Sequence, residues 1–339
     1  MPMRPTRSMV TTLIIAVSTG ILSAAQTGAN PSAPGYAERF VTVEPGVKLQ
    51  VLDWGGSGRP IILLAGLGYD AHAFDSFAPK LTPRYHVYAI SRRGFGTSSA
   101  PAPNCENYSA DRLGDDVLGV MQSLDIERPV LAGHSIAGEE LSSIGTRYPD
   151  RVAGLVYLDA GYAYAYYGEH APPAGWMFDA PALRRELEAL TTPSDPKEKA
   201  AQVAQLLQVN LQRVQKDLQD LQKQLQTDPD SVMNFKITPQ VRINAAILNG
   251  FEIFEGVRCP ALAIFADPHS PPPDMAKDPA KAAQWTEEDR KRITTLADAF
   301  QAGNPTAHVV RIAGASHFVF RSNEADVLRE INAFTATLP

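Results

Sequence analysis

Pro129-Val130-Leu131-Ala132-Gly133-His134-Ser135-Ile136-Ala137-Gly138 is the stretch on which the reading of this chain turns. A short apolar run enters a G-x-S-x-A turn and then a helix-forming segment. A serine on a sharp strand-to-helix turn needs a strained backbone and small neighbours, which Gly133 and Ala137 supply. The turn lifts the Ser135 hydroxyl above the sheet. It also aims the amide of Ile136, at the helix N-terminus, toward a developing oxyanion. By itself the string is weak; the strand before it and the helix after it give it weight.

Similar units flank it. Short β-rich runs bounded by turn residues fall at 39–43, 47–54, 60–65, 86–91, 129–132, 155–159, 261–267 and 308–312. Helical stripes fall at 111–124, 137–147, 285–300 and 324–334. Strand and helix in alternation predict an α/β fold, a mostly parallel sheet covered on both faces, and the unbroken apolar runs 61–64 and 262–265 fit its central strands. Ligands bind such sheets beyond the carboxyl ends of the strands, so chemistry is sought in the residues that follow each one.

Three such places stand out besides Ser135. Leu64-Ala65-Gly66-Leu67-Gly68-Tyr69 is a glycine-flanked loop that can bring the Leu67 N–H to the serine as a second oxyanion donor. Of seven histidines, His317 alone sits late in the chain in a glycine-containing loop after a strand, where a general base is needed. A carboxylate must hold that imidazole. Asp267, closing the strand after the 161–257 segment, is preferred because its loop is nearer the histidine loop in strand order. Asp159, closing 155–159, is the rival and could instead cap the following turn. His269 is expected nearby as a loop residue, and Glu139 and Glu140 as exposed or dipole-stabilising residues of the elbow helix.

Between Gly161 and Val257 the alternation gives way to a helical insertion. It opens with Tyr162, Tyr164, Tyr166 and Tyr167, followed by Trp176, Met177 and Phe178. Tyr162, Tyr164, Trp176 and Met177 are candidates to line a substrate pocket, although packing alone would explain them too. Leu207, Leu211, Val214, Leu218, Leu221 and Leu225 follow at heptad spacing. A lid helix packed on its own protein is preferred over a homodimer through Leu207 to Leu225.

These motifs, from about Phe40 to the end, resemble the α/β-hydrolase superfamily: the Gly66-Leu67-Gly68 loop, Ser91-Arg92-Arg93-Gly94-Phe95-Gly96-Thr97-Ser98, the Ser135 elbow, the Asp267 loop and the His317 loop, all in the family's order. The resemblance implies a Ser135–His317–Asp267 triad, a helical lid inserted after strand six of an eight-stranded-type sheet, and no metal or organic cofactor. It implies hydrolysis of a small-molecule ester, lactones included. Amide, thioester or carbon-carbon bond hydrolysis and a ligand-binding role are the alternatives. A serine in the elbow argues against dehalogenase and epoxide hydrolase chemistry, for which the family would place an aspartate there. The sequence departs from common family patterns at Ala65, Ser91 and Ala137, which blurs the subfamily.

The rest bounds location and partners. Residues 1–25 read as a cleaved export signal, with Arg4 and Arg7 before an apolar run and Ser23-Ala24-Ala25 at the cut, and an uncleaved anchor as the alternative. Residues 26–35 read as a linker, 36–160 and 258–339 as the two parts of the core, and 161–257 as the lid. Secretion or a periplasmic location follows, with no stable membrane span after cleavage. Net charge is −6 and becomes more negative without the leader, which disfavours nucleic acid. Two cysteines, Cys105 and Cys259, read as separate thiols, a disulfide being the alternative.

Overall fold

The sheet expected from the apolar runs is present in the computed structural model, which describes residues 35–339 except 169, 173–175, 194 and 228–236. Its strands are β1 (Ala37–Glu44), β2 (Val47–Gly55), β3 (Arg59–Leu64), β4 (Tyr85–Ile90), β5 (Val130–His134), β6 (Gly154–Leu158), β7 (Ala261–Ala266) and β8 (His308–Ile312). Their order is β1-β2-β4-β3-β5-β6-β7-β8. Only the β1–β2 and β2–β4 pairs are antiparallel. From β4 onward every neighbour is parallel, so the carboxyl ends of β3, β5, β6, β7 and β8 open on one edge.

The central strands are apolar throughout because both faces are covered. Ile62, Leu131, Leu155 and Ala263 join one buried cluster, and their neighbours Ile61, Leu63, Val130, Val156 and Leu262 join another on the opposite face. Each fully buried Val, Leu or Ile contributes about 1.5–3 kcal/mol relative to exposure. The helices Ala110–Ser123 and Gly138–Arg147 pack together on the first face. On the second, Val327, Ile331 and Phe334 of the Glu324–Thr335 helix are buried. Ser109 caps the first of these helices by accepting from the Arg112 amide.

Between β6 and β7 lie the helices Trp176–Ala189, Pro196–Gln205, Leu211–Thr227 and Pro239–Asn249. A π-turn, Leu206–Asn210, interrupts the heptad stretch. The stripe is divided: Val214 is buried, whereas Leu207, Leu211, Leu218 and Leu225 are exposed. Tyr36–Pro339 form one compact unit. Cys105 and Cys259 are free thiols, and burial pushes the Cys259 thiol up to about 12. None of the described helices is long and apolar enough to cross a membrane, and the leader expected at 1–25 lies outside the described residues.

Candidate functional site

Among the described residues, two of the four non-glycine residues with positive φ end neighbouring central strands: Ser135 after β5 (φ 53°) and Asp159 after β6 (φ 49°). Side chains there cost about 1–3 kcal/mol of strain, which persists only where the surroundings enforce it. Ser135 is enforced by close packing. A Cβ on Gly133 would stand 3.0 Å from the Ala137 Cβ, and one on Gly138 would stand 2.1 Å from the Ala160 carbonyl oxygen. Asp159 is tied by its own amide, which donates to Ile264 at 2.7 Å, and by the Ala266 N–H, which donates to Oδ1 at 3.0 Å.

His317, in the loop after β8, bridges the two. Its Nδ1–H donates to Asp159 Oδ2 at 2.6 Å, which leaves Nε2 as acceptor for the Ser135 hydroxyl at 2.9 Å. The loop is held by the buried His134, whose Nε2–H donates to the His317 carbonyl at 3.0 Å. Burial, with His317 beside it, keeps the His134 pKa well below the ordinary histidine range, so this ring serves as a neutral prop.

The carboxylate that meets His317 is therefore Asp159, and the expectation of Asp267 is corrected. Asp267 is engaged elsewhere: Arg311 Nη1 donates to its Oδ2 at 2.9 Å, and the Thr294 hydroxyl lies 3.1 Å from both oxygens. Strand register explains this. Arg311 pairs with Phe265 across β7 and β8, and Asp267 follows two residues later, within reach of the same guanidinium. Asp159 also does not cap a following turn; its free oxygen is taken by the Ala266 amide.

A second histidine shares the acid. His269 Nε2 lies 2.7 Å from Asp159 Oδ2, and its Nδ1 lies 2.9 Å from Asp289 Oδ2. Burial alone would lower the His269 pKa, but the two carboxylates raise it to about 9. Likewise burial would raise the Asp159 carboxyl, yet the charges and hydrogen bonds of His269 and then His317 hold it well below the usual range. Asp159, His269 and His317 together offer donor atoms within 4.8 Å of one another. The 2.6 and 2.7 Å contacts on one carboxylate oxygen are those of two N–H donors on a shared acceptor.

The oxyanion-loop expectation places Leu67 at the elbow. The loop closes with the Tyr69 amide donating to the Gly66 carbonyl at 3.2 Å, and a Cβ on Gly66 would stand 3.1 Å from the Ser135 Cβ. Only glycine lets this backbone rest on the serine. Ile136 follows Ser135 in the first turn of the elbow helix. Of the expected pocket residues, Tyr164 is buried and its side chain hydrogen-bonds to Ser135. The Tyr162 ring lies 5.8 Å from that of Tyr164 and 6.5 Å from that of His317. The side chains of Trp176 and Met177 lie outside the described residues.

Charge reasoning missed the floor of the site. Glu139 and Glu140 are buried, not exposed. The buried Arg92 donates from Nε to Glu140 Oε1 at 2.5 Å and from Nη2 to Glu140 Oε2 at 3.1 Å and to the Ala65 carbonyl at 2.8 Å. It thereby ties the elbow helix to the loop that carries Leu67. Both Glu139 oxygens are without a hydrogen-bond partner among the described residues, and burial next to Glu140 pushes this carboxyl well above its ordinary range. Arg92→Met, which strands Glu140 beside Glu139, is expected to cost about 3–5 kcal/mol in urea unfolding. The double variant Arg92→Met/Glu140→Leu should recover most of that loss; a double variant as unstable as the single one would show that the pair is not what matters.

The alpha/beta hydrolase family pattern is matched over residues 61–330. The chain belongs to this family. A fluoroacetate dehalogenase from Burkholderia sp is 35% identical over 117 residues, 34% of this chain and 38% of that protein. Epoxide hydrolase A from Mycobacterium tuberculosis (strain ATCC 25618 / H37Rv) is 34% identical over 123 residues, 36% of this chain and 38% of that one. The chain thus matches less than two-fifths of the length of either curated relative. A solved structure titled as bromoperoxidase from Bacillus anthracis superposes with a TM-score of 0.54 at 18% identity, over 88% of this chain and all of that one, which is a likeness of fold.

Proposed function

We propose that this alpha/beta hydrolase cleaves a carboxylic ester, lactones included, through an acyl-enzyme on Ser135. The observation that carries the reading is the continuous row from Ser135 Oγ through His317 to Asp159, at 2.9 and 2.6 Å, on strand ends of one sheet edge. Ser135 attacks the carbonyl carbon while His317 Nε2 takes the hydroxyl proton, and Asp159 holds the ring in the tautomer that can accept it. The Leu67 and Ile136 amides hold the oxyanion. His317 returns the proton to the leaving alcohol. Water, deprotonated by the same nitrogen, then attacks the acyl carbonyl and frees the acid.

The named relatives include a dehalogenase and an epoxide hydrolase, but serine suits neither reaction. Displacement at a saturated carbon by Ser135 would leave an alkyl ether. That linkage has no carbonyl for water to attack, so turnover would stop after one cycle. Tyr162 and Tyr164, against the histidine and the serine, supply an aromatic wall to the site. They favour uncharged esters with bulky or aromatic groups.

The test combines a p-nitrophenyl ester panel from acetyl to decanoyl, a set of lactones, and a fluorophosphonate probe located by peptide mass spectrometry. The expected result is hydrolysis with a chain-length preference and a probe adduct on the Ser135 peptide. An unlabelled Ser135 with no turnover of any ester or lactone would overturn the proposal.

A further inference from the structure

His269 is unusual in what its ring faces. Nε2 meets Asp159 Oδ2 at 2.7 Å and Nδ1 meets Asp289 Oδ2 at 2.9 Å, and carboxylate oxygens only accept. Both nitrogens must carry protons to satisfy the two contacts, so the ring is an imidazolium. Its backbone amide also donates to Asp289 Oδ2, at 2.8 Å, which fixes the ring from behind. Arg292 Nη2 donates to Asp289 Oδ1 at 2.6 Å and anchors that carboxylate in turn. The result is a row of alternating charge, from the half-buried Arg292 through the buried Asp289, His269 and Asp159, that ends on the Nδ1 of His317.

We propose that His269 is a positioning residue that, as a buried imidazolium, neutralises Asp159 and thereby extends the triad's activity to lower pH than a lone aspartate would allow. The inference rests on the triad reading given above and adds its pH range. An isolated buried carboxylate bonded to Nδ1 favours protonation of the partner ring, which would silence it as a base in mild acid. A second cation on the same oxygen opposes that. The other groups facing the pair do not replace it: the Tyr162 hydroxyl lies 3.5 Å from His269 Nε2 and bonds to Asp159, Tyr164 bonds to Ser135, and His134 lies against His317 as a neutral ring.

The test replaces the charge while keeping a donor. For His269→Gln, kcat/KM for an active p-nitrophenyl ester is measured across pH beside the parent. The acid limb is expected to move up by about one pH unit, so that well below the limb the variant is about tenfold slower relative to its own plateau. A lower plateau with the limb unmoved means a merely structural role and overturns the proposal, as does a limb that moves down. Should the variant not fold, histidine-selective 15N spectra of the parent decide the matter. They should contain a buried imidazolium at neutral pH that Asp289→Asn perturbs; a neutral ring at His269 overturns the proposal. Fluorophosphonate labelling of the parent runs alongside. An unlabelled Ser135 condemns the triad reading, whereas a labelled Ser135 with an unmoved limb condemns only the role of His269.

Discussion

Ser135→Ala should lower kcat on any ester the parent hydrolyses by about 10⁴- to 10⁶-fold, with the protein still folded. The loss is large because nucleophile and base act as a unit, and removal of one member leaves only binding and oxyanion stabilisation. The structure separates this from unfolding. Ser135 sits at φ 53°, where alanine suffers the same Cβ clash as serine, so the substitution should change stability by less than about 1 kcal/mol apart from the lost hydroxyl contacts. Ser135→Gly makes the contrast sharper. It removes the same nucleophile but relieves the left-handed strain, so it should be equally inactive and unfold at higher urea concentration than the alanine form. Burst kinetics and urea titrations of the three proteins measure both effects. Turnover by the alanine form within about tenfold of the parent would remove Ser135 as nucleophile.

The sheet was legible because its strands obey one-dimensional rules. The central runs Ile61 to Leu64 and Leu262 to Phe265 are apolar without a break, which only a strand covered on both faces requires. The elbow was legible for a related reason, since small residues at Gly133 and Ala137 mark a place where backbone must pass close to backbone. The acid was not. Asp159 and Asp267 both follow apolar strands, and nothing local tells which is free to turn toward the β8 loop. The difference lies across the sheet, in Arg311 opposite Phe265 claiming Asp267 and in the Ala266 amide orienting Asp159. His269 was expected near the site as a loop residue, but its pairing with Asp289 was invisible in the same way, since the two lie twenty residues apart and meet only because the helix Pro279–Gly303 packs back beside the β7 loop. Glu139 and Glu140 misled because a charged pair at a helix start usually faces water; here a buried guanidinium, Arg92, draws one of them in.

Asp159→Asn and Asp267→Asn should part by about three orders of magnitude in kcat, with Asp159→Asn the slower by far. Asp159 accepts on both oxygens: Oδ1 takes the Ala266 N–H, and Oδ2 takes His317 Nδ1 and His269 Nε2. An asparagine has one acceptor and one NH₂. Whichever way the amide turns, its NH₂ faces an N–H donor, either the Ala266 amide or the two imidazoles. The ring of His317 is then released to the tautomer with a proton on Nε2, which cannot accept from Ser135, and a fall in kcat of about 10⁴ is expected. His269 loses one of its two anionic partners in the same step, so a stability loss of about 3–5 kcal/mol accompanies it. Asp267→Asn instead weakens the contacts to Arg311 and Thr294. It should cost about 1–3 kcal/mol in urea unfolding and leave kcat within about tenfold, since neither partner touches His317. Measuring kcat and urea midpoints for the pair on one ester decides between the two carboxylates. A severe loss of kcat in Asp267→Asn with a nearly intact Asp159→Asn would return the acid to the β7 loop, and would mean that the bond between His317 and Asp159 does not carry the reaction.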